Sequence, residues 1–258
     1  MDERTMEGGP LGWFDGGGGA AGPLALDGST ERLTYQGTAG QLGVGGTAGQ
    51  LDVDGAGGQP ALDAGSETTG SVSPAIVVAG QGPTTQVGTT IFGAAYADEC
   101  PSGEVVIGYV GTTSRNPAIP WLQSIQTQCG RLLVSGAPYT ITTSLGSLLP
   151  ERGSNGGVAW SSLCPAGQVI VGFQGYEGGY VYQLAFRCAA MAVVGDATSY
   201  GIALGAITTL PPAGPASGTE FGPIECPGGQ IAVGSNIQAD TWPRAFGLFC
   251  GAPSFVSP

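Results

Sequence analysis

The chain has 258 residues, of which 41% are hydrophobic, 10% charged and 49 Gly, a composition that disfavours long surface helices and favours turns, short strands and flexible segments. All seven basic residues are Arg, the net charge is -12, and Lys and His are absent, which excludes Ser-His-Asp and Cys-His nucleophile pairs, His-bound zinc, Schiff-base lysines and P-loop lysines. The negative charge, with no basic patch to offset it, argues against nucleic acid as a partner, and no run approaches the roughly 18 apolar residues of a membrane span.

Residues 1-75 read as an acidic, Gly-rich low-complexity segment, a stalk or linker. They carry ten carboxylates against two arginines, contain no cysteine, and have too few large apolar residues to fold compactly. A nine-residue repeat runs through Gly37-Thr-Ala-Gly-Gln-Leu42, Gly46-Thr-Ala-Gly-Gln-Leu51 and the decayed Gly55-Ala-Gly-Gly-Gln-Pro60. The period is that of a calcium-binding β-roll, but no copy has its G-G-x-G-x-D unit, so a flexible stalk is the preferred reading. The first residues, Met1-Asp-Glu-Arg-Thr-Met-Glu7, lack the basic and then apolar pattern of a signal peptide.

Residues 76-258 read as one all-β domain of three repeats, approximately 76-135, 136-195 and 196-258. The register comes from six cysteines in three pairs, Cys100 and Cys129, Cys164 and Cys188, Cys226 and Cys250. Each first cysteine opens one phrase: Cys100-Pro-Ser-Gly-Glu-Val-Val-Ile-Gly108, Cys164-Pro-Ala-Gly-Gln-Val-Ile-Val-Gly172 and Cys226-Pro-Gly-Gly-Gln-Ile-Ala-Val-Gly234. Pro and Gly predict a turn, and the β-branched run after it predicts a buried strand. Before each second cysteine stand an aromatic residue (Trp121, Tyr180, Trp242) and an apolar one (Ile125, Leu184, Phe246) at even offsets, which places all three on one strand face. Each unit is thus expected to be a hairpin with cysteines at the open ends of its strands. Upstream aromatics (Tyr96, Trp160, Phe221) and further β-rich stretches bring each unit to about four strands and the domain to three sheets with pseudo-threefold symmetry.

Neighbouring hairpin ends are close enough for a disulfide, so three within-unit bridges are preferred over free buried thiols or a zinc site. No spacing is C-x-x-C, and neither a metal nor a cofactor is expected. Disulfides imply an extracellular or cell-surface setting. Export would then use a route other than a signal peptide visible in this chain, or follow its removal.

The three short-strand repeats with their Cys-Pro-x-Gly openings resemble the vitelline membrane outer layer protein family and, more broadly, jacalin-like lectins. The segment Gly153-Ser-Asn-Gly-Gly-Val-Ala-Trp160 is similar to the Gly-Gly loop that opens jacalin-type domains. The resemblance implies a β-prism fold over residues 76-258, with insertions near Gly111 to Pro120, Gly153 and Gly214, and it implies sugar binding at hairpin ends. Jacalin-type sites use a Gly-aromatic-x-Asp loop. Here Gly179-Tyr-Val is followed by Tyr182, and the equivalent positions hold Gln123 and Arg244, so that carboxylate is missing from all three copies.

The first functional expectation is therefore a secreted or surface-exposed glycan-binding protein without catalytic activity. Trp121, Tyr180, Tyr182 and Trp242 would provide flat surfaces, and Gln123, Glu177, Asp240 and Arg244 hydrogen bonds. An aromatic recurring in one column of every repeat is also a packing position. Tyr182 and Glu177, which break the pattern, are the better functional candidates. The second expectation is a structural coat, matrix or filament component that forms homo-oligomers or polymers. The third is a carboxylate-dependent glycoside-active enzyme. Glycans or extracellular matrix are the expected partners.

Overall fold

The chain divides into Met1–Ala64 and Gly65–Pro258, and the computed structural model describes residues 73–116, 118, 121–196 and 198–257. The Gly-rich repeats and the question of calcium binding lie outside these residues. In chain order the strands are β1 (Ala75–Pro83), β2 (Val87–Gly88), β3 (Ala94–Glu99), β4 (Glu104–Thr113), β5 (Leu122–Ser135), β6 (Thr140–Leu148) and β7 (Arg152–Gly153). They continue with β8 (Val158–Leu163), β9 (Gln168–Glu177), β10 (Val181–Asp196), β11 (Ser199–Thr209), β12 (Thr219–Glu225), β13 (Ile231–Ala239) and β14 (Pro243–Val256).

These strands form three antiparallel sheets on one plan. Sheet I runs β1-β14-β13-β3 with β2 beside β14, sheet II runs β6-β5-β4-β8 with β7 beside β5, and sheet III runs β11-β10-β9-β12. A long hairpin (β13–β14, β4–β5, β9–β10) lies at the centre of each. The sheets are offset from the sequence units, because each hairpin pairs with the upstream strands of the following unit. Sheet I closes the set by pairing Ala75 at one end of the domain with Val256 at the other.

The cysteine phrase is read identically in all three copies. Pro101, Pro165 and Pro227 carbonyls accept the N–H groups of Glu104, Gln168 and Gln230, closing tight turns in which Gly103, Gly167 and Gly229 have positive φ. Past the turn the ladder slips by one residue, between Val106 and Gly108, Ile170 and Gly172, and Ala232 and Gly234. At these bulges the carbonyls of Ile107, Val171 and Val233 accept the N–H groups of Cys164, Cys226 and Cys100. The glycine ending each phrase lets the adjacent strand approach: a Cβ on Gly108, Gly172 or Gly234 would stand 2.5, 2.7 or 2.6 Å from a backbone oxygen of that strand.

The disulfides are Cys100–Cys129, Cys164–Cys188 and Cys226–Cys250, with Cα–Cα distances of 5.7, 5.7 and 5.6 Å. The expected pairing holds, but its geometry differs from two ends of one hairpin. Each first cysteine extends the short strand of one sheet (β3, β8 or β12), as its N–H bond shows, whereas each second cysteine lies within the long strand of the next (β5, β10 or β14). The bridges therefore join sheet I to II, II to III and III to I.

The first halves of β5, β10 and β14 face a central core that includes Ile125, Leu184, Phe186, Phe246, Leu248 and the second cysteines Cys188 and Cys250. Tyr109 and Phe173 follow the phrase glycines in two copies and fill the middle, with Tyr109 stacked on Phe186 at 4.2 Å. The third copy has Ser235 there, and its Oγ lies 2.9 Å from Tyr109 Oη and 2.7 Å from Thr127 Oγ1. Burial pushes the Tyr109 hydroxyl above its ordinary range, so the group remains a neutral partner in this network. The second halves of the long strands, with β1, β6 and β11, enclose a second cluster around Val105, Val169 and Ile231.

The corners between sheets are sealed by different chemistry. In the first, Asp98 two residues before Cys100 receives two hydrogen bonds from Arg152, whose guanidinium also lies 3.9 Å from the Tyr96 ring centroid. The equivalent positions hold Ser162 and Ala213 in the second corner, and Ile224 and Val87 in the third. The Ala213 side chain offers Ser162 no polar group, and among the described residues the buried Ser162 Oγ has no partner. Because an unpaired buried hydroxyl is costly, Ser162→Ala is expected to leave stability unchanged or raise it by up to about 1 kcal/mol in urea unfolding. A comparable loss would show that the hydroxyl has a partner.

Candidate functional site

The aromatic column does not lie on the core face. Two residues beyond each aromatic, the hairpin ladders slip: Thr112 and Thr113 pair Ser124 and Leu122, Tyr176 and Glu177 pair Gln183 and Val181, and Gln238 and Ala239 pair Ala245 and Pro243. The residues left over are Gln123, Tyr182 and Arg244, so all three are β-bulge positions, a common means of redirecting a side chain at a strand end. The slip reverses the alternation that the even offsets assumed, placing Leu122 and Val181 in the core while Trp121, Tyr180 and Trp242 stand at the hairpin ends.

There the three aromatics meet. Tyr180 stacks on Trp121 at 4.8 Å and 18°, and Trp242 lies 5.2 Å from Trp121 and 5.7 Å from Tyr180. Tyr182 lies 6.3 Å from Trp121 and donates from its hydroxyl to the Gly178 carbonyl. Arg244 lies over Tyr180 at 4.4 Å and donates from Nε to Asp240, whose other carboxylate oxygen accepts the Trp242 N–H. Burial pushes the Asp240 carboxyl upward, but the Trp242 N–H and the Arg244 guanidinium outweigh it and hold the group below the usual carboxylate range. Asp240 is therefore ionised.

A second set of loops presses on the bulges. Gly88, Gly153 and Gly214 have positive φ, and a Cβ there would meet the carbonyl oxygens of Arg244, Gln123 and Tyr182 at 2.1, 2.2 and 2.1 Å. This hidden glycine column explains the backbone at Gly153 and Gly214. The expected Gly111 insertion begins later, since Gly111 to Thr113 belong to β4. From the first of these loops Ile91 and Phe92 project 81% and 58% exposed, and Arg244 lies 5.4 Å from the Phe92 centroid.

Of the eight predicted residues, Trp121, Tyr180, Tyr182, Trp242, Arg244 and Asp240 form one connected cluster. Gln123 sits at the equivalent bulge, and its backbone carbonyl accepts the Ser154 N–H. Glu177 ends β9 opposite Val181. Phe92 is missing from the sequence expectation because it occupies no repeated column; its only signal is a large aromatic in a short stretch rich in Gly and Thr. At the far ends of the same long strands a second triad, Tyr139, Tyr200 and Phe255, has ring separations of 4.8 to 5.4 Å.

Among the described residues no group of three or more His, Cys, Asp or Glu could hold a metal, and no helix is long and apolar enough to cross a membrane.

Three antiparallel sheets around a shared core, joined cyclically and carrying their hairpin loops at one end, make the domain a β-prism. No protein-family model matches the chain, and no curated protein does. Among solved structures the chain is similar to Malaysian banana lectin, at 14% identity over 67% of this chain and 99% of that one, with a TM-score of 0.42. Calsepa lectin in complex with a bisected glycan gives 13% identity, 67% and 99% coverage and a TM-score of 0.41. A mannose-specific jacalin-related lectin from Morus nigra, in complex with mannose, gives 15%, 72%, 99% and 0.38. The β-prism assignment rests on this chain's own sheets.

Proposed function

We propose that the protein is an extracellular or surface-exposed glycan-binding protein without catalytic activity, and that it binds through the aromatic end of the prism. The observation that carries this reading is the exposed Phe92 ring beside the ionised Asp240 and the Arg244 guanidinium. An exposed ring accepts the apolar face of a pyranose, while an adjacent carboxylate and guanidinium supply an acceptor and donors for neighbouring hydroxyls. Trp121 and Tyr180 support this surface from beneath, since they stack on each other and Arg244 covers Tyr180. Trp242 and Tyr182 adjoin Trp121, and Gln123 and Glu177 are assigned to the rim from their places at the hairpin ends. Three disulfides support an oxidising compartment.

A glycan array with the full chain is expected to give selective binding that Phe92→Ala and Trp242→Ala each weaken by roughly tenfold or more, equivalent to at least about 1.4 kcal/mol. Binding unaffected by both would remove the aromatic end from consideration. Absence of any retained glycan would favour a coat or matrix component, and turnover lost with Glu177 or Asp240 would favour an enzyme.

A further inference from the structure

Each loop that presses on a bulge is fixed by glycine at both ends. The loops open at Gly88, Gly153 and Gly214 and close at Gly93, Gly157 and Gly218, where a Cβ would stand 2.6, 1.9 and 2.3 Å from the carbonyl oxygens of Ala239, Thr113 and Glu177. Those three residues end β13, β4 and β9, so every loop is held against the tip of its own hairpin. In the first loop the Thr89 N–H also donates to the Arg244 carbonyl at 2.9 Å, and Gln238 Nε2 donates to the Gly93 carbonyl at 3.2 Å.

What the loops carry between these glycines differs. The second holds Ser154, Asn155 and Gly156, and the third holds Pro215, Ala216 and Ser217, whereas the first holds Thr89, Thr90, Ile91 and Phe92. Ile91, at 81%, is the most exposed large hydrophobic side chain among the described residues. Thr90 to Ala95 are all exposed, and none carries a charge. An anchored loop thus presents two adjacent apolar side chains of different shape beside the aromatic cluster.

The two shapes suit two surfaces. Phe92, with its ring centroid 5.4 Å from the Arg244 guanidinium carbon, offers a flat face to a pyranose. Ile91 has neither a flat face nor a polar atom for a hydroxyl, so a sugar alone gains little from it. An alkyl chain gains, because the contact removes apolar surface from water on both sides. Consecutive Cα atoms stand about 3.8 Å apart, so a group linked to a sugar on Phe92 lies within reach of Ile91. We propose that the aromatic end recognises a sugar together with an alkyl chain attached to it, the chemistry that a glycolipid presents, with Phe92 on the sugar and Ile91 on the first methylenes. This rests on the glycan-binding reading and adds to it the class of glycoconjugate.

Methyl and octyl glycosides of glucose, galactose, mannose and N-acetylglucosamine, titrated below the micelle concentration into the full chain and followed by NMR, provide the test. For a sugar that binds, the octyl glycoside is expected to bind roughly tenfold more tightly than the methyl one, the gain from removing about 60 Å² of apolar surface from water. Ile91→Ser is expected to bring the two affinities within about twofold of each other. Ile91→Leu and Leu145→Ser, the latter at an exposed position on β6, are expected to keep the difference. Equal affinity for methyl and octyl glycosides, a difference that survives Ile91→Ser, or an equal loss with Leu145→Ser would each overturn the proposal while leaving sugar binding in place. An octyl chain on a tetraethylene glycol head, bound as tightly as the octyl glycosides, would overturn it by showing that no sugar is read. If no glycoside of either kind binds, the glycan-binding reading itself fails and takes this proposal with it.

Discussion

Reduction of all three disulfides is expected to abolish cooperative folding of the domain at ordinary temperature. The bridges close loops with sequence separations of 29, 24 and 24 residues, for which the chain-entropy model gives about 3 to 4 kcal/mol each. Together they contribute about 10 kcal/mol, comparable to the whole stability of a typical domain. The demand is high here because a glycine-rich chain loses much conformational entropy on folding. Replacing one pair, Cys164→Ala with Cys188→Ala, is expected to cost about 3 to 4 kcal/mol, and the cavity beside the buried Cys188 adds to this. Guanidinium unfolding followed by circular dichroism checks both expectations. If the fully reduced protein melts cooperatively at nearly the oxidised temperature, the two apolar clusters hold the sheets without the bridges.

The second large effect concerns the corner closed by charge. Arg152→Leu is expected to destabilise the protein by about 3 to 5 kcal/mol, because it leaves the Asp98 carboxylate buried with no partner. The cost should lie mainly in the orphaned charge. Asp98→Ile with Arg152→Val copies the pair that occupies the third corner, Ile224 and Val87. The double variant is expected to fall within about 1 kcal/mol of the parent. A double-mutant cycle by urea unfolding measures the coupling directly. If the double variant is as unstable as Arg152→Leu, the guanidinium contributes through Tyr96 or through packing, and the ion pair is secondary.

The corner chemistry also shows what a single sequence can convey. The cysteine phrase was legible because it states local physics three times: a proline turn, a β-branched run and a glycine where strands approach. What joins the sheets was not legible. Cys100 looks like the start of its own hairpin, and only the bond from its N–H to the Val233 carbonyl assigns it to sheet I. Pairing of Ala75 with Val256 spans the entire domain and leaves no local trace.

The site was legible in the same partial way. Counting back from the cysteines located Trp121, Tyr180 and Trp242, but strict alternation placed them on the same strand face as Ile125, Leu184 and Phe246, which is the core face. A one-residue bulge at Gln123, Tyr182 and Arg244 reverses that alternation, and nothing in these three side chains announces it. The glycines that make room for the bulges, Gly88, Gly153 and Gly214, lie far from them in sequence. Phe92 escaped because comparing repeats emphasises what recurs, whereas a binding surface can depend on a residue present once.

The position of the disulfides relative to the hairpin loops has a consequence for resistance to proteolysis. Residues 114–121, 178–180 and 240–242 each lie between the two cysteines of one bridge. A protease that cuts an exposed loop at the aromatic end therefore opens a covalent ring without severing the molecule. The cut ends stay tethered to neighbouring sheets, and a nicked chain keeps all its strands. The loops that carry the candidate site can be damaged one at a time while the body that positions them remains a single covalent object.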